Sequence, residues 1–184
     1  MAIFARFVVL TLGLMAFLPC GFANAQSSAV QAGWQSFRLD ADGFAIDRPG
    51  TLVAVTPEAG RDEIAIHAEW RVPENRGTFY LATFPPLVGS RTLKQWADDA
   101  ATEQGPAPVR QTTLPRDVPA VVWSWLEAGY YERRVAVHSG RSGRVIALLY
   151  AMETNAKTLD AAEREFKNEI DLQDRMAATI RLAK

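Results

Sequence analysis

The sequence predicts an α+β fold: one largely antiparallel β-sheet flanked by an internal helix and a C-terminal amphipathic helix. Three observations carry that reading. Ala120–Leu126, Tyr130–His138 and Arg144–Met152 are three consecutive runs of strand character, the last two joined by Ser139-Gly140-Arg141-Ser142-Gly143, whose two glycines suit a hairpin. Strand-like runs outnumber helical ones, and the connections between them have hairpin length rather than the length of strand–helix–strand crossovers. Two stretches, Thr92–Gln104 and Thr158–Leu182, repeat apolar residues at helical spacing.

The chain opens with the physical pattern of a secretory leader. Arg6 supplies a positive start, Phe7–Leu18 is apolar, and Ala23-Asn24-Ala25 is a small-x-small site, so residues 1–25 read as a signal peptide with cleavage leaving Gln26 first. The apolar run is short of the about 20 residues a permanent membrane helix needs, so no membrane span is expected once the leader is cut. Lipid attachment at Cys20 is disfavoured because Leu18 and Pro19 are not small. The expected location is the periplasm or the medium. Cys20 is the chain's single cysteine, so the exported part has neither disulfide nor thiol chemistry. Taking Arg6 from the 20 Lys+Arg leaves 19 against 21 Asp+Glu, a net charge of −2. That near balance argues against nucleic acid or an anionic membrane as partner.

Residues 26–33 are a polar, small-residue lead-in, expected to be mobile, and residues 34–184 form one domain. Trp34–Leu39 is a first strand, Asp40–Gly43 a turn, and Phe44–Asp47 a strand stopped at Pro49-Gly50. Thr51–Val55 continues as a short extended piece, and residues 57–61 are loop. Glu63–Arg71 alternates, placing Ile64, Ile66, Ala68 and Trp70 on one face and Ala65, His67, Glu69 and Arg71 on the other. Pro73–Gly77 is a turn before the strand Thr78–Phe84, ended by Pro85-Pro86. The first helix is capped by Ser90 or Thr92, carries Leu93, Trp96, Ala97 and Ala100 as its stripe, and stops at Gly105-Pro106. Val109–Leu114 is a strand. In the last helix Leu159, Ala162, Phe166, Ile170, Ala177 and Ile180 form the stripe. Asp160/Arg164, Glu163/Lys167 and Asp171/Arg175 offer ion pairs in the favourable order, and Leu172 and Met176 suggest a bend near Asp171.

The segment Asp42-Gly43-Phe44-Ala45-Ile46-Asp47-Arg48-Pro49-Gly50 resembles the opening of PsbP-like domains, including the DcrB-like bacterial envelope proteins. The element order over Trp34–Leu182 is similar too: two strands, a helix beginning Thr92-Leu93-Lys94-Gln95-Trp96, antiparallel strands, and a closing amphipathic helix. The resemblance implies a helix-flanked antiparallel sheet with a binding or assembly role, and it carries over no catalytic residues and no cofactor.

Each candidate chemical group has a plainer structural account. His67 with Glu69 supplies two metal ligands and no third. His138 meets a hairpin without an acid or serine at useful spacing. Ser142 lacks the Gly-x-Ser-x-Gly frame and the strand-to-helix setting of a nucleophile elbow. Asp40, Asp42 and Asp47 fall short of a calcium loop. No metal site and no catalytic residue is assigned. The expected binding residues are Trp123, Trp125, Tyr131 and Tyr150, as an aromatic sheet face left open to a protein partner, with Arg141 and Arg144 at the hairpin tip able to hold an anion or acidic partner. The competing account places those aromatics in the core. A non-enzymatic envelope binding protein is therefore expected. A carrier of a small apolar ligand or lipid, and a hydrolase with an unrecognised site, are the alternatives.

Overall fold

The computed structural model describes residues 33–57, 64–104 and 108–183. The leader, the lead-in up to residue 32, the loop at 58–61 and the helix stop at Gly105-Pro106 lie outside them. The strands are β1 (Trp34–Leu39), β2 (Phe44–Pro49), β3 (Val53–Val55), β4 (Ala65–Arg71), β5 (Thr78–Pro86), β6 (Arg110–Leu114), β7 (Val118–Glu127), β8 (Tyr130–His138), β9 (Arg144–Glu153) and β10 (Arg181–Leu182). The helices are α1 (Leu93–Gln104), α2 (Leu159–Glu165) and α3 (Lys167–Ala177).

Seven strands make an antiparallel sheet in the order β3-β4-β5-β9-β8-β7-β6. Its centre reads apolar on both faces because neighbouring residues of β9, Val145 to Leu148, are all buried. Even-numbered Ile146, Leu148 and Tyr150 join one core with Phe79, Leu81, Tyr131 and Val135, roofed by α2 and α3. Odd-numbered Val145 and Ala147 join a second core with Phe84, Val121, Trp123 and Trp125, roofed by α1. A strand buried on both sides has no polar alternation to show, which is why this run looks uniformly apolar in sequence.

The expectation of a single sheet needs correction. β1, β2 and β10 form a separate three-stranded sheet, with β2 in the middle. The cause lies in the chain's last residues. After α3, Thr179 leaves the helix: its hydroxyl accepts from the Asp47 backbone N–H at 2.7 Å and donates to the Met176 carbonyl. Arg181 and Leu182 then run extended beside Ala45 and Phe44. The Arg181 guanidinium closes the join with two bonds to the Asp47 carboxylate, at 2.6 and 2.7 Å.

The closing helix is also two helices. The break falls at Phe166, not near Asp171, where the backbone leaves helical geometry at φ −99, ψ 21. Phe166 lies in a cluster with Tyr131 (centroids 5.5 Å apart) and Tyr150 (5.9 Å). The three rings pack mutually, the two tyrosine centroids lying 6.2 Å apart. Among the described residues, none of the three expected ion pairs forms. Lys167 pairs with Asp171, and Glu163 accepts from Ser124 instead.

The prolines expected to end β5 after Phe84 do not: the strand runs on to Pro86, which pairs with Arg144 across a register shift. α1 starts on a capping box: the Thr92 hydroxyl accepts from the Gln95 N–H, and the Gln95 side chain accepts from the Thr92 N–H. The β8–β9 hairpin uses a positive φ at Gly143 alone, not at both glycines.

Gly77 ends the β4–β5 turn at φ +105, beside the Tyr150 ring. A Cβ there would lie 2.6 Å from Tyr150 Cε2 and 2.8 Å from the Ala151 carbonyl oxygen. Gly77→Ala therefore meets both a left-handed backbone and a backbone atom that cannot step aside. Urea titration should show a loss of about 3 kcal/mol or more.

The Asp47–Arg181 pair gives a pH signature. The Arg181 hydrogen bonds hold the Asp47 carboxyl below its ordinary value of 3.8, against the opposing effect of partial burial. A depressed folded-state pKa contributes stability that is present above 3.8 and lost as pH falls through the lower folded value. Asp47→Asn should reduce stability at neutral pH and flatten that acid limb, as read from urea midpoints across pH.

Candidate functional site

The residues expected to bind are brought together only in part, and not at the surface. Trp123 is 1% exposed, Trp125 7%, and Tyr131 and Tyr150 0%. The open aromatic face built from these four is therefore corrected: they are core. They also sit on opposite sides of the sheet. Trp123 and Trp125 lie under α1, whereas Tyr131 and Tyr150 lie under α2 and α3. The physical reason is coverage, because the chain carries a roof for each face. The Tyr150 hydroxyl donates to the Arg76 carbonyl at 2.6 Å, while Trp123 Nε1 and the Tyr131 hydroxyl are buried without a hydrogen-bond partner. Arg141 and Arg144 are exposed at the hairpin tip.

The two histidines each bond close to their own strands. The alternation expected for β4 is broken by a bulge between Ile66 and Ala68. His67 turns to bond Thr83 at 2.9 Å, and Glu69 pairs across from Tyr80 on the other face. The two expected co-ligands thus diverge. Burial lowers the His67 pKa, so the ring is neutral at pH 7. His138 Nε2 contacts the Gly143 carbonyl of its own hairpin at 3.1 Å. Among the described residues no three His, Cys, Asp or Glu side chains converge.

A crevice of about 220 Å³ opens between the small sheet and β3–β4, bordered by Phe37, Arg48, Val55, His67 and Trp70. Its guanidinium is already spoken for: Arg48 donates to the Leu52 carbonyl at 2.9 Å and to Gln35 Oε1 at 2.7 Å, and lies over the Trp70 ring. The crevice is open and mixed in polarity, unlike the enclosed apolar cavity of a lipid carrier.

A half-covered patch lies on the α1 side of the large sheet, where α1 does not reach. Pairing registers put Trp123, Arg134, Leu149, Tyr80 and Glu69 in one row across the strands, and Trp125, Glu132, Ala151, Thr78 and Arg71 in the next. Glu127, Tyr130 and Glu153 form a third. Trp123 and Trp125 lie beneath the helix edge. Tyr80, Leu149, Tyr130 and Thr78 are half-buried, and Arg71, Glu127 and Glu153 are exposed.

Arg134 stiffens this patch. Its Nε donates to Glu132 Oε1 at 2.6 Å, and its guanidinium lies 4.6 Å from the Trp125 ring centre, 5.6 Å from Trp123 and 5.8 Å from Phe84. Both Arg134 and Glu132 side chains are 12% exposed. Burial pushes the Glu132 carboxyl above its ordinary value in spite of Arg134, and burial with the adjacent Glu132 pushes Tyr130 far above the usual phenol range. The patch thus offers neutral phenols, a clamped ion pair and an aliphatic centre. That equipment makes a rigid surface of mixed aromatic, aliphatic and charged character.

The fold has a solved counterpart. The chain is similar to the solution structure of cyanobacterial PsbP (CyanoP) from Synechocystis sp. PCC 6803, at TM-score 0.53 and 11% identity, over 89% of this chain and 98% of that one. The fold is PsbP-like. No family model matches the chain, and no curated protein matches it in sequence. No helix among the described residues is long and apolar enough to cross a membrane.

Sequence reasoning missed this patch. Its signal was present in the alternate residues of Tyr130–Arg134, where Tyr130, Glu132 and Arg134 share a face, but not in the residues of greatest apolarity. The core placement of the tryptophans has a thermodynamic consequence. Trp125→Ala should cost about 3–5 kcal/mol in chemical denaturation, the scale of a large core deletion.

Proposed function

We propose that this protein is an exported, non-enzymatic binding or assembly protein of the bacterial envelope, of the DcrB-like kind, that holds a protein partner on the half-covered sheet face around Tyr80, Tyr130 and Leu149. One observation carries the reading: α1 roofs only part of its face of the sheet. The less covered part keeps aromatic and aliphatic groups partly in contact with solvent on a rigid β scaffold.

Rigidity matters to the energetics. The strands beneath are hydrogen-bonded on both sides, and Arg134 is fixed by Glu132 and three rings, so docking orders few side chains. Tyrosine supplies contact area at low entropic cost and keeps a polar tip for hydrogen bonding. The leader expected at residues 1–25 supports an envelope location. The exposed tip at Arg141 and Arg144 lies at the far end of β8 and β9 from Tyr130, so it belongs to a separate contact if it is used at all.

Site-specific photo-cross-linking in cells tests the reading. A photoreactive residue in place of Tyr80 or Tyr130 should give a discrete adduct. The same residue in place of Val88, which is 82% exposed in the loop after β5, should not. Adducts from Val88 or Arg141 with none from the tyrosines would move the site elsewhere.

A further inference from the structure

We infer that the partner of the half-covered face presents a cationic amphipathic segment: aliphatic side chains toward Leu149 and lysine or arginine side chains toward Tyr130. This rests on the reading of that face as the docking surface. Charge matching decides the sign of the partner. Glu69 bonds Arg71, and Glu132 bonds Arg134, so those four charges compensate in place. Glu127 and Glu153 lie directly across from Tyr130 on its two neighbouring strands, both exposed and both without an ion pair among the described residues. The face therefore carries two uncompensated carboxylates on either side of a phenol ring.

Arg134 does not reverse that balance. Its guanidinium is stacked on Trp125 and bonded at Nε to Glu132, which leaves it poorly placed to meet a second carboxylate. An acidic partner would bring negative charge against Glu127 and Glu153 and remove water from them without compensation, an expensive arrangement. A neutral apolar partner would strip the same carboxylates of solvent with nothing in return. An ammonium or guanidinium meets opposite charge on two sides and the face of Tyr130 between them, adding a cation–π contact. The apolar half of the segment is accommodated two rows away, at Leu149 beside Tyr80.

The test is an NMR titration of the isotopically labelled protein with an amphipathic model peptide of leucine and lysine. Leucine–glutamate and leucine–glutamine peptides of the same pattern are the comparators. The lysine peptide should shift the amides of Tyr80, Tyr130 and Leu149, and the glutamate peptide should leave them in place. E127Q/E153Q should weaken the lysine peptide about five- to tenfold, as loss of two exposed charge pairs implies, with an unchanged urea midpoint. Raising ionic strength to about 1 M, where the screening length falls to about 3 Å, should weaken it similarly. Equal shifts of the same amides by the glutamine or glutamate peptide would overturn the charge inference and keep the docking face. Shifts confined to other surfaces, or none, would overturn both. Self-association that buries Tyr80 and Tyr130 would make a second copy the occupant and overturn the cationic partner.

Discussion

The structure depends on a sheet whose centre is apolar on both sides. Residues of β9 and β8 alternate into two separate cores, so neither face of that region can be left in water. At about 25 cal/mol per Å² of apolar surface, an uncovered face of this kind would outweigh the few kcal/mol that separate folded from unfolded chains. Everything else answers that demand. The C-terminal segment doubles back as α2, α3 and β10 to roof one face, and α1 roofs the other. The two roofs are unequal. A helix of 12 residues is about 18 Å long, whereas strands of 10 residues, as in β7 and β9, reach about 33 Å. The half-covered patch lies on the face with the shorter roof.

Polar side chains fix where the thicker roof sits. Gln173 is fully buried. Its amide donates to the Leu148 and Arg133 carbonyls, and its oxygen accepts from the Arg133 guanidinium at 2.7 Å. Arg133 reaches on to Asp174, and Arg76 in the β4–β5 turn forks onto Glu169 of α3. Apolar packing alone tolerates sliding; these bonds tolerate little, because a slip strands a buried charge or carbonyl. A well-seated α3 in turn delivers Thr179 and Arg181 to Asp47, which is how the second sheet acquires its third strand.

The order and type of most elements were legible in the sequence. Hairpin connections, the Thr92 capping box and the run from Ala120 to Met152 act locally, so each left a local mark. The aromatic residues misled because apolarity reports that a side chain leaves water, not which body covers it. Trp123 and Tyr150 look alike in sequence and serve different cores. The bulge at His67 reversed the face of every residue before it relative to those after it, and one extra residue in a strand leaves no periodic trace.

By itself, the sequence determined an antiparallel α+β fold, the strand that most apolar runs form, and where the first and the closing helix begin, because these follow from nearest-neighbour chemistry and spacing. Only the tertiary structure decided that Phe166 breaks the closing helix, that Arg181 and Leu182 become a strand, and that Tyr80, Leu149 and Tyr130 rather than the tryptophans stay partly exposed. Those outcomes depend on which surfaces meet across more than a hundred residues of chain, as Asp47 and Arg181 do at a separation of 134. Contacts of that range are set by the fit of whole layers, and no single stretch of sequence encodes that fit.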